Sequence, residues 1–241
     1  MPSRTELVSE HVFGQLLEAL LSERYAPGER LPTQRALAAD LGVTMSSLRE
    51  ALKRLEQMGL VESRQGDGMR VRAWREHGGL DVVAHLLFRA GGVDGRVLAD
   101  VLEARSLMLA ELAALAAQRR SPEAAGRLRD LAAEFARASD DVAAQRVDFA
   151  FVTELAAAAG NLVFVLVLNS IRALYFAHAG ELPVTARPAE LSPLYTRAAE
   201  AVAAQDPGAA RTALAELAAR QRERVETALE ELSSAAAEGR P

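Results

Sequence analysis

Residues 41–71 read LGVTMSSLREALKRLEQMGLVESRQGDGMRV. Leu48, Ala51, Leu55 and Met58 recur at helical spacing, which predicts an amphipathic helix. Thr44 stands where an N-cap belongs, and Gly59 fits the residue just past the C-terminal end. Beyond it, LVES (60–63) and MRVRAW (69–74) alternate as two short strands around Gly66-Asp67-Gly68. The row of small hydroxyls Thr44, Ser46 and Ser47 weakens a helix interior. It makes sense at a helix tip that must touch something polar.

Upstream, Val8, Val12, Leu16, Leu20 and Leu21 share one face of a helix spanning about 7–24. APGERLP is a turn, Thr33 is placed to cap a second helix running to about Asp40, and LGV turns the chain into the third. Three helices and a two-stranded wing make a winged helix-turn-helix. Such a fold reads DNA through the N-terminal residues of its recognition helix. Small hydroxyls let the backbone and the helix dipole approach phosphate, and Arg49, one turn on, can fork onto guanine. Taken alone, Thr44 is simply a cap. Taken with Arg35 at the start of the second helix, with Met45, Ser46, Ser47 and Arg49, and with Gly66 letting the wing approach a minor groove, it belongs to a candidate surface for double-stranded DNA.

Charge supports that surface. The chain carries a net charge of −5, which excludes a wholly basic nucleic-acid binder. Yet residues 30–75 hold 9 Lys/Arg against 5 Asp/Glu, while residues 76–241 hold 17 against 23. Local fields decide binding to polyanions. The count of cysteines is 0, so no disulfide framework, thiolate metal site or cysteine nucleophile is available. The acid-dotted N-terminus is not a signal peptide. In the most apolar window, LAAAAGNLVFVLVLNSIRALYF, a buried helix after a Gly-Asn break is expected rather than a membrane span. A cytoplasmic protein is expected.

Composition changes near Trp74. The fold class is mostly α: a winged helix-turn-helix over 1–75, a linker over 76–79 (within REHGGLD), and an all-α effector-binding bundle over 80–235. Six or seven helices are divided by GGVDG, RSPE, ASDD, GN, GELPVTARP and AQDPG. No strand pattern is visible there. Such a bundle can enclose a ligand between helices. Enzyme signatures such as GxSxG, a Walker loop or HExxH are absent.

PGERLPTQRALAADLGVTMSSLREALKRLEQMGLVESRQGDGMRV resembles the DNA-binding domain of the GntR family of bacterial transcription regulators. The helical part resembles the effector domain of that family's FadR/FCD branch, through VLEARSLMLAELAALAA, DFAFVTELAAAAGN and AVAAQDPGAARTAL. WREHGGLDVVAHLL and GNLVFVLVLNSIRALY look closest to its fatty-acid-responsive FadR type. The resemblance implies a ligand-responsive regulator that binds a near-palindromic operator as a homodimer. The rival reading is a helical small-molecule-binding or catalytic protein whose winged domain serves protein contacts.

Three departures bear on specificity. The family usually has Arg where this chain has Met45, which removes a contact of ~1–3 kcal/mol. Many FCD domains hold a divalent metal through one Asp and three His. Here Asp148 remains, but the other positions resemble Val152, Tyr195 and one near Leu217. One carboxylate without imidazoles makes a poor transition-metal site, so no metal is expected. Arg105 lies in the helix carrying the family's effector arginine. It can pair with an acidic ligand, an acyl-CoA or another carboxylate, or internally with Glu103, Glu111 or Asp148. Asn169, Tyr175 and Tyr195 are candidate polar handles in an apolar pocket. An ungapped match of the tail puts Glu216, Ala219 and Glu223 where the fatty-acid type has Gly, Ser and Trp, unfavourable swaps for holding acyl-CoA in the same pose.

Overall fold

The structure, a computed structural model, describes residues 4–89, 92–177 and 187–238. The chain packs as two units, Met1–Leu86 and Leu87–Pro241. The first holds helices α1 (Arg4–Leu21), α2 (Gln34–Asp40) and α3 (Met45–Gln57), strands β1 (Val61–Arg64) and β2 (Gly68–Val71), and helices α4 (Trp74–His77) and α5 (Leu80–Leu87). Leu48, Ala51, Leu52 and Leu55 of α3 bury against Val12, Phe13, Leu16 and Leu20 of α1. Burying such side chains stabilises by about 1.5–3 kcal/mol each, which fixes α3 to the helix that supports it.

Local chemistry sets the ends of α3. The Thr44 hydroxyl accepts from the Ser47 N–H at 3.2 Å. At the other end Gly59 has φ +73, and the N–H groups of Gly59 and Leu60 return to the carbonyls of Glu56 and Leu55, both at 3.0 Å. This is a Schellman closure, which needs a left-handed residue after the cap. A Cβ on Gly59 would also stand 2.6 Å from the His77 carbonyl oxygen, so α4 rests on bare backbone there. The wing follows as an antiparallel pair with Val61 opposite Val71 and Arg64 opposite Gly68. Partly buried Trp74 and Leu86 and buried Val82 join the same core, so packing of the first unit continues beyond residues 76–79.

The second unit holds β3 (Phe88–Arg89), β4 (Gly92–Val93), α6 (Gly95–Arg119), α7 (Pro122–Ala136), α8 (Asp141–Ala158), α9 (Leu162–Ala177), α10 (Pro188–Ala203) and α11 (Pro207–Glu238). The β3–β4 pair corrects the purely helical expectation. Two residues per strand are too few for a period-2 pattern to show. The predicted dividers are caps. Asp94, Ser121 and Asp140 accept from the first N–H groups of α6, α7 and α8, and Pro122 opens α7 at a position that needs no donor. Most of GELPVTARP lies outside the described residues.

Leu109, Leu112, Phe135, Phe151, Leu155, Tyr195, Leu214 and Leu217 form the centre of the bundle. At the end of α6, Arg119 donates to the Ala159 carbonyl at 2.9 Å, and Arg120 donates to the carbonyls of Val202 and Ala203. Two consecutive cations thereby cap the C-termini of α8 and α10, where the dipole favours positive charge. Helix α9 departs from expectation. Among its described side chains only Leu168 is buried, while Leu162, Val163 and Leu166 are exposed. Helical hydropathy announced an apolar helix but not which neighbour covers it. No described helix is long and apolar enough to cross a membrane.

Candidate nucleic-acid interface and effector site

At the head, Ser46 and Arg49 are exposed on the first turns of α3 and Arg35 is exposed on α2. The Arg49 Nε donates to Gln34 Oε1 at 3.3 Å, which ties the start of α2 to the recognition helix. Exposed Lys53 continues the face one turn beyond Arg49. Sequence reasoning missed both Gln34 and Lys53, although Lys53 stands at i+4 from Arg49. Thr44 is exposed, but its hydroxyl is engaged as the cap. Met45 is half-buried and packs against the head's core.

Ser47 is a correction. It is 2% exposed, and its hydroxyl lies 3.1 Å from that of Thr44. It shares a face with Ala51 and Leu55, four and eight residues on, and so turns inward. Its role is to complete the cap, and it is withdrawn from the surface facing DNA.

The wing tip turns at Gly66, exposed with φ +79, where the Asp67 N–H closes onto the Arg64 carbonyl at 3.1 Å. Only a residue free to take positive φ fits there. Arg70 donates from Nε to Asp67 at 2.5 Å and from Nη1 to the Gly28 carbonyl at 2.7 Å, and Arg30 stands 3.8 Å from Asp67. The hydrogen bond from Arg70, reinforced by the charges of Arg70, Arg30 and Arg64, holds the Asp67 carboxyl below its ordinary value. A groove of about 210 Å³, lined in part by Arg30, Thr33, Gln34, Ser63 and Gly68, runs between the start of α2 and the wing.

In the bundle, Arg105 and Asp148 meet. One guanidinium nitrogen donates to both carboxylate oxygens at 2.9 Å. The other terminal nitrogen donates to Gln221 Oε1 at 2.5 Å. The Tyr195 hydroxyl donates to Asp148 Oδ1 at 2.5 Å and accepts from Gln221 Nε2 at 3.3 Å. Asp148 and Gln221 are buried and Tyr195 fully so, while the Arg105 side chain keeps 21% of its surface. Phe135 stacks on the phenol ring at 4.0 Å and Phe151 meets it edge-on at 5.1 Å, which fixes the hydroxyl. One turn before Asp148, the Oε1 of buried Gln145 has no hydrogen-bond partner among the described residues.

Three of the five predicted effector residues thus come together: Arg105, Asp148 and Tyr195. Of the internal partners weighed for Arg105, Asp148 is the one beside it, while Glu111 is held by Arg211 at 2.9 and 3.0 Å. Asn169 is exposed on α9, and its helix position does not deliver it to this buried cluster, which is a second correction. The Tyr175 side chain lies outside the described residues. Gln221 was missed. Its signal was a polar residue in register with buried Leu214, Leu217, Ala218 and Val225. Glu216, Ala219 and Glu223 lie on the exposed face of α11, so the swaps noted there do not alter the interior.

The same positions test the metal implied by the FCD resemblance. Both Asp148 oxygens accept from a guanidinium, Tyr195 is a donor to that carboxylate, and Val152 and Leu217 are buried hydrocarbon. Divalent transition ions need imidazole, thiolate or several oxygen ligands. These residues do not fit one.

The family described as "Bacterial regulatory proteins, gntR family" matches residues 8–71, and the FCD domain matches residues 100–220. The chain is 39% identical over 217 residues to the HTH-type transcriptional regulator Mce2R of Mycobacterium tuberculosis, covering 90% of each chain. It is 32% identical over 162 residues to the fatty acid metabolism regulator protein of Pectobacterium carotovorum, covering 66% of each. Among solved structures, Lar of Listeria monocytogenes is similar in fold, with a TM-score of 0.57 at 17% identity, over 94% of this chain and 98% of that one. A winged head with an exposed recognition-helix tip, a helical bundle closing on a buried polar cluster, and similarity running through both units place the chain in the GntR family of bacterial transcription regulators, as a DNA-binding regulator with an FCD domain.

Proposed function

We propose that the protein is a homodimeric, cytoplasmic regulator whose FCD domain answers to an acidic organic effector, a carboxylate or acyl-CoA, without a resident metal. The observation that carries this reading is the Arg105 cluster. Its guanidinium donates both to the Asp148 carboxylate, through both oxygens, and to the neutral amide of Gln221. Both bonds are charge-assisted, since the donor is a guanidinium, but only the Asp148 carboxylate adds ion-pair attraction to it. An incoming anion therefore displaces Gln221 and leaves Asp148 in place. The partnerless Gln145 Oε1 offers an acceptor to a hydroxyl or amide of the same ligand.

In this reading two heads engage the halves of a near-palindromic operator, since a protein two-fold maps onto paired half-sites. The effector regulates only through unequal affinity for the operator-competent and incompetent states, typically ~1–3 kcal/mol. Thermal-shift titration with palmitoyl-CoA and with short carboxylates tests it, because a ligand that binds the folded state raises apparent stability. The shift is expected in the wild type and in Gln221→Met, and is expected to vanish in Arg105→Gln. A shift that survives Arg105→Gln unchanged would place the ligand elsewhere.

A further inference from the structure

Arg54, Arg64, Arg70 and Arg75 of the head each meet a carboxylate, of Glu10, Glu62, Asp67 and Glu23, within 2.8 Å. Arg49 meets none among the described residues. Its partner is the neutral side chain of Gln34, whose Oε1 accepts from the Arg49 Nε at 3.3 Å. Gln34 is half-buried and opens α2 directly after the capping Thr33. One turn on, buried Leu37 joins the core that holds Leu48 and Leu52 of α3. Packing thus fixes the backbone at Gln34 against the helix that carries Arg49.

Arginine donates and never accepts, so the amide oxygen of Gln34 must face it. The bond engages Nε and leaves the two terminal nitrogens open. Forking onto guanine O6 and N7 needs two parallel donors in a set plane, which that terminal pair supplies. A long exposed side chain loses rotamer freedom when it docks, and one already held at Nε loses less. A carboxylate at position 34 would hold the guanidinium as well, but would neutralise the charge that draws it to a polyanion. We infer that Gln34 is a positioning residue for operator reading: its neutral amide aims Arg49 as an end-on fork and leaves its charge available to DNA. This role rests on the reading of Arg49 as a DNA contact and adds the residue that aims it.

Fluorescence anisotropy of the full-length protein tests it, on a duplex that the wild type selects from a random library and on a scrambled duplex of the same length. Arg49→Ala is expected to weaken binding to the selected duplex about 5–150-fold, the worth of one bidentate base contact. Gln34→Ala is expected to weaken the selected duplex about 3–10-fold and to leave the scrambled duplex unchanged, because aim is lost and charge is not. In an Arg49→Ala background, Gln34→Ala is expected to add nothing, whereas a purely structural role would give the same loss in both backgrounds. Gln34→Glu, which keeps the acceptor but takes up the charge, is expected to weaken both duplexes. An Arg49→Ala variant that binds the selected duplex like the wild type would overturn the DNA reading of Arg49 and this role together. A loss with Arg49→Ala but none with Gln34→Ala, or a Gln34→Ala loss of equal size in the Arg49→Ala background, would overturn the role of Gln34 alone. If Gln34→Ala unfolds, Gln34→Met, which keeps the length and removes the acceptor, gives the same comparison.

Discussion

Asp148 shows how burial makes a single residue answerable for a site. Its carboxylate is tied to Arg105 and Tyr195 inside the bundle. Removing one member of a buried pair leaves the other charge uncompensated at a cost of about 3–5 kcal/mol. Asp148→Ala is therefore expected to lower the urea midpoint of the FCD domain sharply. Tyr195→Phe, which loses the hydrogen bond donated to Asp148 and the longer one accepted from Gln221, is expected to cost less, about 2 kcal/mol. Equal small losses for both would show that Arg105 reaches water when its partner goes, which its remaining exposure permits only in part. At the head the same logic runs through Asp67. This carboxylate neutralises Arg70 and faces Arg30 at the wing. Because its pKa is lowered, the clasp is complete above the ordinary carboxylate range and is lost only as pH falls through the lowered value. At neutral pH it holds back two cations from phosphate. Asp67→Asn is expected to tighten binding to nonspecific duplex and steepen its salt dependence, as measured by fluorescence anisotropy at two salt concentrations. Met45 packs partly against the core rather than standing free. Met45→Arg is expected to alter which operators are selected from a random duplex library, by ~1–3 kcal/mol at the base it reaches. Identical selections by both proteins would remove this position from specificity.

At the scale of elements, helix boundaries were legible because caps are local chemistry. Thr33, Thr44, Asp94, Ser121 and Asp140 each serve the helix that follows them, and Gly59 ends α3 where its lack of Cβ is needed. What the sequence did not disclose depends on partners far along the chain. Gln221 reaches Arg105 across 116 residues, and α9 reads as a core helix until its neighbours are counted. Ser47 could have been read, since it lies in register with the buried face of α3. The α10–α11 corner holds a further consequence. Gln205 adopts φ +57, and the N–H groups of Gln205 and Asp206 return to the carbonyls of Val202 and Ala201. This is the same closure that Gly59 makes, built with a residue that has a Cβ. A left-handed conformation costs an L-residue roughly 1–2 kcal/mol, part of which glycine loses again as unfolded-state freedom. Gln205→Gly is expected to stabilise the FCD domain by about 0.5–1 kcal/mol in urea unfolding. A loss of stability would mean that the Gln205 side chain contributes a contact worth more than the strain.

For the whole molecule, regulation is a statement about two free energies that must agree. The head carries the chain's basic surplus, so operator affinity includes a salt-dependent phosphate component, and removing Arg49 is expected to reduce the salt slope by about one contact. In the proposed reading the acidic FCD domain regulates by changing which state of the head is populated. If an effector changes operator affinity by some factor, operator must change effector affinity by the same factor, because both paths close one thermodynamic cycle. The check is to titrate palmitoyl-CoA, or whichever acid shifts the melting curve, into the free protein and into the protein saturated with operator duplex. The ratio of the two effector affinities is expected to equal the ratio of operator affinities measured with and without effector, on the order of 5–150-fold. Arg49→Ala should weaken operator binding in both states and leave that ratio unchanged, as expected of a side chain proposed to contact phosphate or base and not to set the equilibrium between states. Arg105→Gln should collapse the ratio to one while leaving operator affinity in the absence of effector near that of the wild type. A ligand that binds through Arg105 yet gives a ratio of one is a passenger in the bundle, and the regulating molecule would then be a different acid.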